Sequence, residues 1–300
     1  MEKTEKSFLL SPMKQEIELK AGDVYEGSVL LANPEVATEN FDFKVVVKPY
    51  SVTDEGYEPD FDTVSDWSKI VDWISIDEPT GTLSPNETKR IRFKITVPID
   101  APAGGQYAMI GVTSLPGADT ASGNVHDTYT LASLIYAQIE GETIHSGEII
   151  ENYIPGFVST GTPTTVATVA NNGNVHEILT SDLKVKNVFT GQTIALTDED
   201  SDSYESMILP DSTRAVSRSL EGLPGLGIFE VTQDLSYVGE SSSVTTIMVI
   251  CPIWFLVLAI ITVTVIITTL LYKILKIFKK TKKSNKNQLH FDDANDKMEA

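Results

Sequence analysis

The chain has 300 residues, 23 Lys and Arg against 42 Asp and Glu, and a formal net charge of −19. So acidic a balance argues against nucleic acid or anionic lipid as an electrostatic partner, because both are bound through clustered Lys and Arg. The one cysteine, Cys251, excludes a disulfide framework, and a core must be built from apolar packing alone.

Met1 to Gln15 has no apolar h-region and no small-residue cleavage site. Residues 1–7 read as a disordered lead-in. From Gln15 the chain reads as short strands separated by turns. QEIEL at Gln15 to Leu19 alternates, AGD follows as a turn, and VYEGSVLL at Val24 to Leu31 is closed by Asn33-Pro34. FDFKVVVKPY at Phe41 to Tyr50 places Phe41, Phe43, Val45 and Val47 on one face. RIRFKITV at Arg90 to Val97 alternates strictly, with Ile91, Phe93 and Ile95 inward. Tyr107 to Leu115 and Tyr129 to Ile139 complete this first set, with Ile110 and Leu131 expected inside. Between Asp62 and Ile74 the spacing of Trp67, Ile70, Val71 and Ile74 is helical and predicts a short helical turn on the sandwich edge.

Glu140 to Gly147 (EGETIHSG) is polar and holds two glycines, so a linker is expected at 142–146. A second series of strands follows: Thr164 to Ala170, Asp182 to Phe189 and Gly227 to Tyr237. Its expected inward set is Val166, Val169, Leu183, Val185, Ile228 and Val231. The reading is an all-β chain of two tandem antiparallel Ig-like β-sandwiches, 8–141 and 147–243, followed by one transmembrane helix.

That helix is expected at 247–272, IMVICPIWFLVLAIITVTVIITTLLY, which carries no charge. Twenty-six residues at ~1.5 Å each span a bilayer with some tilt. Residues 273–300 form a basic tail with eight lysines and four acids, leaving 15 basic and 38 acidic residues before it, a balance of −23. The lysine excess predicts a cytoplasmic C-terminus and an extracellular N-terminus, hence a single-pass cell-membrane protein. Because one C-terminal span does not easily export some 245 residues, a signal peptide upstream of this start is also expected. An exported part without cysteine, Cys251 being assigned to the span, suits a bacterial surface.

The chemistry-bearing residues are few. No nucleophile elbow, phosphate-binding loop, HExxH or Cys/His metal set is present, and His126, His145, His176 and His290 have no paired spacing. No enzyme activity and no cofactor are implied. The carboxylates Asp54, Glu55, Glu58, Asp60, Asp62 and Asp66 crowd one loop with Tyr57, Phe61 and Trp67, and Asp198, Glu199, Asp200 and Asp202 form a second run. Hard oxygen ligands at this density suit Ca²⁺, with Asp54, Asp60 and Asp62 as the candidate ligands, although the glycine and distal Glu of an EF-hand are lacking. A solvated acidic loop fits the residues better. Glu58, Asp60, Asp62 and Asp66 are the candidate partner-binding residues, with the three rings expected to pack on the first sandwich and the carboxylates facing water.

Several stretches taken together resemble a known family. They are PMKQEIELKAGDVYEGSVLLANP from Pro12, IVDWISIDEPTGTLSPNETKRIRFKITVPIDAPAGGQYAMI from Ile70, VANNGNVH from Val169, ILPDSTR from Ile208 and LGIFEVTQDLSYVGESS from Leu226. In this order they resemble WxL-interacting-type bacterial surface proteins, with two Ig-like domains, one span and a basic tail. The resemblance implies peptidoglycan binding by the first domain and recognition of a host or partner protein by the second. It carries no individual functional residue, and the acidic stretch Asp54 to Asp66 has no place in its pattern. Two other readings stand beside it: a structural stalk or chaperone-like factor that pairs a sheet edge with a partner strand, and a wall hydrolase using paired carboxylates. The topology has a direct test. Protease added to intact cells should leave a membrane fragment that retains Lys273 to Ala300, and a tail cleaved from outside would overturn the orientation.

Overall fold

The computed structural model describes residues 8–34, 40–53, 57–115, 129–196 and 203–296, with side chains to Ile277. The expected disordered lead-in, Asp54, Glu55, His126 and the second acidic run lie outside these residues. The first half holds β1 (Leu9–Ser11), β2 (Lys14–Leu19), β3 (Val24–Ala32), β4 (Phe41–Pro49), β5 (Ser51–Val52), β6 (Pro59–Asp60), β7 (Ile74–Ile76), β8 (Thr80–Leu83), β9 (Thr88–Thr96), β10 (Gly104–Ser114) and β11 (Thr130–Ile139). A 3-10 helix at Lys69–Trp73 supplies the helical turn and buries Ile70. The second half holds β12 (Gly147–Tyr153), β13 (Phe157–Val158), β14 (Thr164–Asn171), β15 (Glu177–Asn187), β16 (Ser203–Ile208), β17 (Ser212–Ser219), β18 (Gly227–Tyr237) and β19 (Glu240–Ile250). The chain then enters α1 (Ile253–Asp296).

Each half is a two-sheet sandwich, and both follow one plan. In the first, β1-β3-β9-β7 faces β2-β11-β10-β4-β8; in the second, β12-β14-β17 faces β13-β19-β18-β15-β16. The opening segment of each half is split between the two sheets, and its second piece pairs parallel with the last strand, β2 with β11 and β13 with β19. These two parallel ladders are the departure from an otherwise antiparallel arrangement of Ig type.

Alternation drives the packing. In β9 Ile91, Phe93 and Ile95 are buried while the intervening Arg and Lys face water, and they meet Phe43, Val45, Ile110 and Ile135 in one core. Leu131 is half-buried at the rim of that core. Opposite Phe93, Gly27 must lack a side chain, since a Cβ there would lie 2.3 Å from the ring.

The second sandwich divides its core. One cluster gathers Ile154, Leu183, Val185, Phe229, Val231 and Met248; another gathers Ala167, Val169, Leu179, Leu235 and Tyr237. Buried polar residues accompany them, including Thr165, Ser181, Gln233 and Arg218, whose Nη1 donates to the Ser181 carbonyl at 2.6 Å. Two of the residues expected inside are half-buried instead, Val166 and Ile228. Strand phase is the reason: Thr165, Ala167 and Val169 share the inner face of β14, and Phe229 and Val231 that of β18.

The expected start of the helix also shifts. Ile247 to Ile250 belong to β19, paired along its whole length with β18, and Cys251 is buried against the sandwich rather than within the helix. The helix begins at Ile253, and Ile253–Ile277 is long and apolar enough to cross a membrane.

The Gly27–Phe93 pair gives a test of the packing. Phe93→Ala should cost roughly 3–5 kcal/mol in denaturant unfolding. Gly27→Ala should destabilise the wild type but cost much less in the Phe93→Ala background, because the clash is with that ring.

Candidate functional site

Part of the acidic loop, with Tyr57, Asp60, Asp66 and Trp67, lies at the junction of the two sandwiches. Three contacts build it. The first is made by the NNGN turn. The Asn174 carbonyl accepts from the Gly105 amide at 2.7 Å, while its side-chain Nδ2 donates to the Glu142 carbonyl at 2.9 Å and its Oδ1 accepts from the Ile144 amide at 2.6 Å. Two glycines permit this approach. Gly104 sits at φ +113, where a Cβ would lie 2.5 Å from the Asn174 oxygen, and a Cβ on Gly173 would lie 2.2 Å from the Ile144 oxygen.

The second contact is an aromatic box. Tyr107 and Tyr136, on the outer face of the first sandwich, meet each other edge to face with ring centroids 5.5 Å apart. Both meet the His176 ring edge to face, at 5.9 and 5.6 Å. The Tyr107 hydroxyl lies 3.2 Å from His176 Nδ1, Leu209 closes the box, and Lys14 sits over the Tyr136 ring. Burial raises the Tyr107 and Tyr136 phenols above their ordinary values. Burial also lowers the His176 ring below its ordinary 6.5, against Glu16 and Glu177, which raise it, and with Lys14, which lowers it further.

The third contact comes from the acidic loop. The Tyr57 hydroxyl donates to the Met207 carbonyl at 3.0 Å and accepts from the Leu209 amide at 2.8 Å, so one phenol replaces two backbone partners of the β16–β17 turn. Arg214 lies over the Tyr57 ring at 4.6 Å and donates to the same Met207 carbonyl. Burial raises the Tyr57 phenol. Trp67 Nε1 donates to Asp211 at 3.0 Å. Buried Gln106 holds this segment, donating to the Asp66 carbonyl and accepting from the Ile70 amide.

The expected ring placement is therefore corrected. Phe61 stacks on Tyr50 of the first sandwich, but Tyr57 and Trp67 reach across to the second. They do so because the β16–β17 turn presents the Met207 carbonyl, the Leu209 amide and the Asp211 carboxylate within reach of the loop.

The candidate carboxylates divide by surroundings. Glu58, Asp62 and Asp66 are exposed and Asp60 is half-buried. Asp62 pairs with Lys48 and Asp66 with Lys69, each at 2.7 Å. Asp60 accepts from the amides of Asp62 and Thr63, and hydrogen bonds from Thr63 and these amides hold it below its ordinary value. Among the described residues no group of three or more His, Cys, Asp or Glu is placed to hold a metal ion. Between the loop and the second sandwich lies an open cleft of about 450 Å³, lined by Tyr50, Asp60, Asp66, Trp67, Leu209 and Asp211 among others. A smaller one of about 260 Å³ lies by Tyr57, Tyr136 and Arg214. Sequence reading missed Asn174, His176, Tyr107 and Asp211 as site residues. The available signal was the run of turn motifs, GGQY, NNGNVH and LPDS, which turn out to touch one another.

No family model matches the sequence, and no curated protein matches it. Among solved structures the chain is similar to CfaA, a chaperone of class 5 fimbriae, at 15% identity, with 81% of this chain and 99% of that one covered and a TM-score of 0.40. The E. coli chaperone DraB is 12% identical, with 80% and 96% covered and a TM-score of 0.37. The CsuC–CsuE chaperone–tip adhesion subunit complex of Acinetobacter baumannii is 13% identical over 80% and 98%, at 0.39. At such scores the likeness carries no functional argument.

The junction predicts its own pH behaviour. Burial holds the folded His176 ring below its ordinary 6.5, so the unfolded chain takes up this proton at a higher pH than the folded protein does. This part of the stability is present above about pH 6.5 and declines as pH falls below it. Tyr57 works in the other direction, its contribution intact below about pH 10 and lost as pH rises beyond it. Tyr57→Phe should cost about 1–3 kcal/mol, and His176→Asn should flatten the acid limb of an unfolding-midpoint titration.

Proposed function

We propose that this is a non-enzymatic, membrane-anchored bacterial surface protein, with its N-terminal part outside the cell and its lysine-rich tail in the cytoplasm. Its two Ig-like domains hold a binding cleft at their junction for a basic segment of another surface protein. One observation carries this reading: the cleft is lined by Asp60, Asp66 and Asp211 alongside Tyr50 and Trp67, on walls that Tyr57, Asn174 and the aromatic box hold at a fixed separation. Carboxylates beside aromatic faces suit a Lys or Arg side chain, which gains both ion pairing and cation–π contact. A pre-formed cleft also limits the entropy lost on binding.

This reading supports a WxL-interacting type of role, with a surface protein as ligand in preference to peptidoglycan. A second reading, a chaperone-like assembly factor, is favoured by β17. Among the described residues β17 pairs only with β14, which leaves an eight-residue edge able to accept a strand.

The test uses the full chain in lipid nanodiscs against surface extract and purified peptidoglycan. Capture of a surface protein is expected, weakened at least tenfold by Asp60→Asn with Asp66→Asn and weakened again by raised salt, about 1.4 kcal/mol or more. Capture of peptidoglycan alone would move the function to the wall polymer. Capture unaffected by these substitutions but lost when Pro replaces Ala215 in β17 would favour strand addition.

A further inference from the structure

The second sandwich has two ends. The junction occupies one, and at the other β19 passes into α1. Strands run about 3.3 Å per residue, so eleven-residue β15 and β18 separate these ends by roughly 35 Å. We propose that the helix-proximal end is itself a lipid-docking surface, with Phe189 and Leu226 inserted in the interfacial layer of the bilayer beside α1. The proposal rests on α1 being a membrane span.

Register places the apolar residues. Asn187 pairs with Phe229 and Phe229 with Met248, so Val188 and Phe189 lie at the level where β19 ends. Gly227 pairs with Ile250, which puts Leu226 beside the last residues before the helix, and Phe157 pairs with Val249. Phe189 is 78% exposed and Leu226 48%, and Phe157 and Trp254 are exposed as well. Leaving these side chains in water forgoes about 1.5–3 kcal/mol each.

The turn that carries Phe189 is pre-formed. Asn187 Oδ1 accepts from the Phe189 and Thr190 amides at 2.9 and 3.1 Å, the Gly191 amide donates to the Asn187 carbonyl at 2.8 Å, and Gly191 sits at φ +69. The ring is thus held out at the tip of an ordered turn.

Charge says what covers this end. In a chain of net charge −19, the stretches Phe157 to Val169, Asn187 to Leu196, Gly222 to Phe229 and Ile247 to Tyr272 carry no Asp, Glu, Lys or Arg, and exposed Glu221, which lines a cleft with Ile250, lies at their rim. The uncharged turns around Phe189 and Leu226 meet the headgroup layer with little repulsion, and their threonines and glutamine suit the polar interface. Continuity with α1 fixes the occupant. Cys251 still donates to the Val158 carbonyl, and the Pro252 carbonyl already accepts from the Phe255 and Leu256 amides, so Pro252 is the whole connection. A sandwich on so short a tether cannot lift this end far from the membrane.

The experiment uses the full chain with Cys251→Ser, reconstituted in vesicles of phosphatidylcholine and phosphatidylglycerol. A polarity-sensitive dye is placed through Phe189→Cys, Leu226→Cys or, as the control on the first half, Val64→Cys. With the dye sites about 5–10 Å below the headgroup plane, lipids spin-labelled near the headgroup should reduce emission by about twofold or more at 189 and 226, and leave 64 unchanged. Vesicle flotation with quenching at 189 and 226 no greater than at 64 would overturn the docking surface alone. Dye-to-dye energy transfer at 189 in place of lipid quenching would show a second copy covering it and would also overturn the proposal. A chain that fails to float would overturn both this surface and the membrane anchor, with cleft binding in solution left to report separately on the proposed function.

Discussion

The structure depends on β10 having two buried faces. Its residues 104–112 are all buried, which is unusual for a strand of an antiparallel sandwich. Ala108, Ile110 and Val112 enter the first core, while Gly105 and Tyr107 on the opposite face meet the second sandwich. One strand therefore belongs to a domain core and to the junction at once. Any shift of β10 to repack the core would carry Tyr107 with it and open the aromatic box.

Polar satisfaction then decides how the acidic loop can lie there. Repulsion among neighbouring carboxylates favours an open loop. The loop is closed because its carboxylates have local partners at the surface, Lys48, Lys69 and backbone amides, and its rings have partners inside. The exposed ion pairs add little stability individually. The larger contribution comes from Tyr57, since removing its hydroxyl would leave the Leu209 amide in a half-buried site with no acceptor for it from the loop. Asp60 and Asp66 thus line the cleft, while Tyr57 and Trp67 hold the loop against the second sandwich.

Much of the fold was legible because alternation is a direct record of a half-buried strand. β9 and β4 could be assigned face by face, and the 3-10 helix showed in the spacing of Trp67, Ile70 and Val71. The errors have physical causes. β14 and β18 carry apolar residues on both faces, so Val166 and Ile228 resembled core positions when Ala167 and Phe229 held them. The strand-to-helix boundary was hidden because Ser241 to Tyr272 contains no charge, and an apolar edge of a sandwich is indistinguishable from the start of a span by composition. Of the site, the acidic residues were visible as a cluster, but their internal partners were not. Tyr57 and Met207 are 150 residues apart, and nothing local to either marks the contact.

Rigidity at the junction has consequences only if the other end of the second sandwich is also held. A clasp between two sandwiches on a loose stalk would orient the cleft relative to nothing. Here ladder hydrogen bonding continues to Cys251 and helical bonding begins from Pro252, leaving no flexible spacer between sheet and helix. A bilayer contact through Phe189 and Leu226 would remove the remaining rotation about that single residue. The cleft would then stand roughly 35 Å from the membrane surface at a set angle, facing away from the anionic headgroups that would compete with its carboxylates for a basic ligand. Separation of a charge-poor lipid-facing end from an acidic partner-facing end is thus what one acidic chain requires to do both.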